Sequence, residues 1–219
     1  MISDNENMIR QTVAFVREKL KNAEAGHDWW HVQRVWNNTK LILATEEADA
    51  LVCELTALLH DIADSKFHEG DEHIGPRIAG EFLHSIGLDS ERVEQVQKII
   101  LNMSYRASLG NVEVHSKELE VVQDADRLDA IGAIGIARAF NYGGFKNREI
   151  YNPEIPVETQ LTKETYKNTT APTINHFYEK LLRLRDKMNT DTAKQIAENR
   201  HHFMELFLQQ FYGEWKGES

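Results

Sequence analysis

Residues 55–64 read Leu-Thr-Ala-Leu-Leu-His-Asp-Ile-Ala-Asp, so His60 and Asp61 stand side by side at the end of an apolar run. Neighbouring side chains on a helix diverge by about 100°, yet an imidazole and a carboxylate both bend toward a point that attracts them. A divalent cation is such a point. An ionised carboxylate buried alone is prohibitively costly, and coordination satisfies it together with the histidine. Taken alone, the dipeptide reads more simply as a hydrogen-bonded pair closing a helix, so its companions decide. His27 and His31 lie four apart and share a helix face. Asp64 follows His60 by four and projects from about the same side, one turn on. Asp124, Asp126 and Asp129 crowd the stretch Gln-Asp-Ala-Asp-Arg-Leu-Asp-Ala-Ile-Gly.

The elements that carry these groups are helices. Leu51, Leu55, Leu58 and Ile62 recur at helical spacing beside Val52 and Leu59, which predicts a helix that begins near Asp49, buries a wide apolar face and delivers His60-Asp61. Before it, residues 4–24 form a helix with Asp4 as its cap, and residues 28–48 form a second that carries His31. Further helices fall over residues 72–85, with Pro76 in the first turn, over 89–103 and over 117–142. Gly132 and Gly135 serve close packing in the last of these. From Gly143 to Ala171 the periodicity dissolves into a stretch of the length that lids have. Two helices close the chain. In one, Ile174, Phe177, Leu181, Leu184 and Met188 form an apolar stripe beside a basic stripe of His176, Lys180, Arg183 and Lys187. In the other, residues 191–215, Ile196, Phe203, Phe207 and Phe211 face the core with Arg200 among them. About eight helices and no alternating strand give one all-α domain over residues 1–219, a helical bundle.

The order His31, then His60-Asp61, then Asp126, resembles the HD-domain superfamily of metal-dependent phosphohydrolases. The surroundings carry the likeness: Gly-His-Asp-Trp-Trp-His-Val-Gln-Arg-Val, Leu-Leu-His-Asp-Ile-Ala-Asp and Gln-Asp-Ala-Asp-Arg-Leu. With Ile-Asn-His-Phe-Tyr-Glu-Lys-Leu, Lys-Met-Asn-Thr and Ala-Glu-Asn-Arg-His near the C-terminus, the chain is similar over nearly its full length to the YpgQ/YedJ-like bacterial group. The resemblance implies an HD helical bundle holding one divalent cation of the Mn²⁺ type on His31, His60, Asp61 and Asp126. Mg²⁺, Fe²⁺, Co²⁺ and Ni²⁺ accept similar donors. Asp126 is favoured over Asp124 because the superfamily's last ligand precedes a residue and a leucine, here Arg127 and Leu128. Asp124 and Asp129 either orient the histidines or belong to the helix surface. His73 could supply an extra ligand, but Met103 stands where two-metal members place a histidine, which implies a single metal. Asp64 resembles the general acid/base of related enzymes, although Ser65 replaces the second acid that alarmone hydrolases carry. The activity implied is hydrolysis of a nucleoside triphosphate to the monophosphate and pyrophosphate. Ester hydrolysis on another nucleotide is the alternative, and a non-catalytic nucleotide sensor is a reading of a different class.

The formal charge of −10 argues against duplex nucleic acid or an anionic membrane as partner, so an anionic substrate needs local cations. Lys66 and Arg106 are candidates near the predicted site, with Lys66 placed in the catalytic set. His176, Lys180, Lys187 and Arg200 are candidates from the last helices, and His27 is a further candidate to touch substrate. An arginine in an apolar stripe must find an anion, carboxylate or phosphate, which makes Arg200 the most telling of them. The single cysteine, Cys53, sits among core leucines and suits a reducing cytoplasm, where the absence of an evident signal peptide also places the chain. Aromatics near Phe211, Tyr212 and Trp215 could serve a homodimer.

Overall fold

A computed structural model of the chain describes residues 3–21, 23, 28–63, 71–103, 115–158 and 170–218. The fold is all-α, with nine α-helices and one 3-10 helix among the described residues. Contacts divide the chain into two compact units, Met1–Asp126 and Arg127–Ser219. Among the described residues no helix is long and apolar enough to cross a membrane.

The first unit is built on a central helix. α1 (Asp4–Lys19), α2 (Trp29–Leu43) and α3 (Ala50–Leu59) precede α4 (Ile74–Ser85), α5 (Ser90–Asn102) and α6 (Lys117–Asp129), which runs on past the unit boundary. α3 reads Ala-Leu-Val-Cys-Glu-Leu-Thr-Ala-Leu-Leu and is buried from Leu51 to Leu59 except at Glu54. A helix apolar almost all round has to lie inside, and α1, α2 and α5 pack against it. Glu54 is satisfied by the Trp36 indole N–H at 2.7 Å. Asp49 caps α3 by accepting from Leu51 and Val52, and its other oxygen receives Arg92 Nε at 2.9 Å, tying the cap to α5. Cys53 is fully buried as expected, and burial pushes its thiol far above the ordinary range.

The second unit comprises α7 (Gly132–Phe145), α8 (Thr173–Glu179), the 3-10 helix Leu181–Lys187 and α9 (Asp191–Lys216). α9 packs on α7 and on the 3-10 helix, and Phe177, Ile174, Leu184 and Met204 are fully buried.

Several expected boundaries move. α1 is capped by Ser3, not Asp4, because Ser3 and Glu6 form a reciprocal capping box. It ends at Lys19, and α2 ends at Leu43, both short of the expected limits. The helix expected over 117–142 is two helices, broken at Ala130 and Ile131, with Gly132 at φ +74°. α7 runs through Gly143 to Phe145, so the irregular stretch begins later than expected. Its residues 159–169 lie outside the described residues. The first closing helix breaks at Lys180 (φ −137°, ψ −58°), where an α-turn gives way to a 3-10 helix. The basic stripe drawn at 3.6-residue spacing therefore does not run continuously. On α9 the buried face is Ala193, Ala197, His201, Met204 and Leu208, while Phe203 is 50% exposed. The aromatics run beside that face instead: Phe207 packs 5.7 Å from Phe177 and 5.9 Å from Phe140 between ring centroids.

Candidate metal centre

His31, His60 and Asp126 come together within the first unit with Asp61 near His31, and local structure explains the aim of the two histidines. Asp28 caps α2 by accepting from the backbone N–H of His31 at 2.9 Å, which places His31 in the first turn with its ring 3% exposed. His60 is the residue on which α3 stops. The last carbonyls of a helix have no partner within it, and the one on Ala57 accepts from His60 Nδ1 at 2.8 Å. A carbonyl only accepts, so in the neutral ring the proton sits on Nδ1 and the lone pair on Nε2 faces outward from α3. That Nε2 lies 3.3 Å from His31 Nε2. Asp126 Oδ1 lies 3.6 Å from the same His31 nitrogen, and Asp61 Oδ2 lies 3.8 Å from it.

Ligand atoms of His31, His60 and Asp126 all fall within 4.8 Å of one another. Acceptor groups gathered around one buried nitrogen are an arrangement that a divalent cation satisfies. The two histidine nitrogens and the Asp126 oxygen are donor types that fit a divalent cation, and Asp61, outside that triad, stands 3.8 Å from His31 Nε2. His31 forms a dry wall, while Asp126 keeps 33% of its side-chain surface exposed, so the centre has an open side of the kind catalytic sites need and closed structural sites lack. Asp124, on the same helix, is fully buried. Asp129 is held by Arg138 Nη1 at 2.5 Å. Met103, which stands where a second metal's histidine was expected, is buried, and its carbonyl accepts from Gln123.

The remaining expected site residues separate into two groups. His27, Asp64, Lys66 and Arg106 lie outside the described residues. His176, Lys180, Lys187 and Arg200 belong to the second unit. His176 is not the cation it was expected to be: burial, helped by the neighbouring charges of Lys180 and Arg148, pushes its pKa down to about 3, so the ring is neutral at physiological pH. Arg200 Nη1 donates to the Leu128 carbonyl at 2.5 Å, in the last turn of α6, where a guanidinium completes orphan acceptors. Burial lowers its pKa, and Asp129 opposes that shift. The anion that Arg200 was expected to find is therefore a helix end and a nearby carboxylate. Arg127 Nη1 donates to the carbonyl of Lys187, which fastens the end of the 3-10 helix.

A cleft of about 540 Å³ lies on the other side of α2, lined by Trp29, Gln33, Trp36 and Arg17 among others. Trp29 and His31 are two residues apart, about 200° around the helix, so this concavity does not open on the metal centre. Two groups beside the cluster went unread in the sequence: the Ala57 carbonyl, which accepts from His60 and which a pattern of side chains cannot reveal, and Asn38, whose amide donates to the Ala125 carbonyl. Asn38 does leave a trace, as a polar residue seven after His31 on a face that otherwise carries Val35 and Ile42.

The HD domain family matches residues 29–131, a span that contains all four gathered groups. The chain belongs to the HD-domain superfamily. It is 39% identical to YpgQ of Bacillus subtilis over 202 residues, covering 91% of this chain and 90% of that protein. The crystal structure of YpgQ in complex with ADP superposes with a TM-score of 0.77 at 35% identity, covering 97% of each chain. A Lactobacillus plantarum protein superposes with a TM-score of 0.85 at 37% identity over 99% of this chain and all of the other. An HD-superfamily hydrolase from Bacillus thuringiensis does so at 0.76 and 40% identity, covering 97% and 98%. This HD protein is thus a hydrolase by family; HD domains bind a divalent metal, and here His31, His60 and Asp126 stand close together.

Proposed function

We propose that the protein is a nucleotide pyrophosphohydrolase, cleaving nucleoside or deoxynucleoside triphosphates to the monophosphate and pyrophosphate. The observation that carries this reading is the convergence of His31, His60 and Asp126, with Asp61 beside them, on a centre with one open side. The ADP bound by YpgQ supports a nucleotide as the ligand. When bound, a divalent ion, in our reading Mn²⁺, supplies Lewis acidity toward a phosphoryl oxygen and acidifies a water. The chain's own residues do the rest. Asp64 takes the proton of the attacking water, and Lys66 with Arg106 offsets the charge that grows on the phosphates. Lys180 and Lys187 hold the departing pyrophosphate, with His27 against the substrate. His176 contributes a neutral hydrogen-bonding ring and not a charge, and Arg200 braces the end of α6. The setting we propose is the cytoplasm.

The test is to strip the protein of metal, restore Mn²⁺, supply a panel of nucleoside triphosphates and identify the phosphorus products by NMR. Monophosphate with pyrophosphate is the expected result. Orthophosphate alone would move the reading to ester hydrolysis. Tight nucleotide binding with no turnover under any divalent metal would make the protein a sensor.

A further inference from the structure

Asn38 is buried, 8% exposed, in the middle of α2, where an amide needs a reason to be. Its Nδ2 donates to the carbonyl of Ala125 at 3.1 Å, across 87 residues of sequence. Ala125 is fully buried and immediately precedes Asp126. Asn38 also follows His31 by seven residues, two turns of helix, so the two share a face of α2. That face therefore meets α6 at two points on adjacent residues: His31 beside the Asp126 carboxylate at 3.6 Å, and Asn38 on the Ala125 carbonyl at 3.1 Å.

One contact would let α6 slide or turn against α2; two fix both freedoms. The neighbours of Asn38 cannot do this. Thr39 donates back to Val35 inside its own helix at 3.0 Å, and Val35 and Ile42 are apolar and non-directional. A metal ligand has to be held to within about 0.5 Å of its productive place; Glu118 and Gln123 also tie α6 to its surroundings, through the Asp49 N–H and the Met103 carbonyl, but the Asn38 bond lands on the residue next to Asp126. We infer that Asn38 is a positioning residue for the metal centre: it clamps α6 so that Asp126 meets His31 and His60 at coordinating distance. The inference rests on the metal reading of that cluster.

Asn38→Leu keeps the size and removes the donor, and Thr39→Val removes a buried hydroxyl that does not reach α6. Mn²⁺ affinity is measured by calorimetry on each variant, alongside its melting temperature and the visible spectrum of the Co²⁺-loaded form. Asn38→Leu is expected to weaken Mn²⁺ binding by about tenfold, as loss of an outer hydrogen bond around a metal site does, and to shift the Co²⁺ bands. Thr39→Val, at a comparable loss of melting temperature, is expected to leave both unchanged. Asn38→Ser, whose hydroxyl is too short to reach, carries the same test if Asn38→Leu does not fold. Affinity within twofold of wild type and an unchanged Co²⁺ spectrum in either folded Asn38 variant would overturn the positioning role alone. Absence of Mn²⁺ and Co²⁺ binding by the wild-type protein would overturn the metal reading, and the positioning role with it.

Discussion

His60 shows how much a single residue can do at a helix end. Its Nδ1–H completes an orphan carbonyl of α3, and the same bond turns the Nε2 lone pair toward His31. Replacing a coordinating group should cost more metal affinity than the roughly 10- to 100-fold lost with an outer partner. Asp61→Ala and Asp126→Asn are each expected to lose bound metal on dialysis, read by elemental analysis, and to lose turnover with it. Retained turnover in metal-free Asp61→Ala would sink the metal-dependent reading. His176 gives a prediction about pH. Its folded pKa of about 3 lies below its ordinary value of 6.5, so between these limits the unfolded chain binds the proton that the folded protein refuses. That contribution to stability is present above pH 6.5 and is lost as pH falls through this window. Glu179, its buried neighbour in sequence, is raised by burial and slopes the other way above its ordinary value. Comparing melting temperature against pH for wild type and His176→Gln isolates the histidine: the variant should lose less stability on acidification.

At the scale of elements, the centre depends on where helices start and stop. Asp28→Ala removes the cap of α2 at the residue that fixes His31, and should lower stability by about 1 kcal/mol in urea unfolding. The corner between α6 and α7 is built on two glycines. A Cβ on Gly135 would lie 2.2 Å from the Ala130 carbonyl oxygen, backbone that cannot step aside. At Gly132 the backbone is left-handed (φ +74°), and a Cβ would crowd the Arg200 stem at 3.0 Å. Gly135→Ala is expected to cost at least the ~1–3 kcal/mol of core overpacking, and Gly132→Ala roughly 1–2 kcal/mol through its left-handed backbone. Both are read from the urea midpoint. Expecting these glycines to serve packing agrees with what surrounds them. The continuous helix expected through them does not form, because apolar periodicity continues across the corner while the backbone turns.

For the whole molecule, ligand linkage gives a direct check: a metal that binds only the folded chain stabilises it by about 2.7 kcal/mol at a hundredfold excess over its dissociation constant. Chelator should therefore lower the melting temperature measured by scanning calorimetry, and Mn²⁺ should restore it. The groups that come together were legible in sequence as candidate ligands because their chemistry is carried by residue type. His31, His60-Asp61 and Asp126 each sit in a local context that names them, and the helices presenting them are strongly patterned. The α-class was legible for the same reason, since the apolar spacing of α3 admits little else. What the sequence could not decide depends on contacts between residues distant in the chain. The neutral state of His176 comes from burial, the tie of Arg200 to the Leu128 carbonyl from a neighbour 72 residues away, and the clamp of Asn38 on Ala125 from one 87 residues away. The inward face of α9 was misread because aromatic residues bury well beside a helix seam as well as in it, and only packing shows that small Ala193 and Ala197 took the seam. Residue type and spacing determined which groups could hold a metal; tertiary structure alone decided which carbonyls and helix ends aim them, because those partners are backbone atoms, the same at every position until the fold selects one.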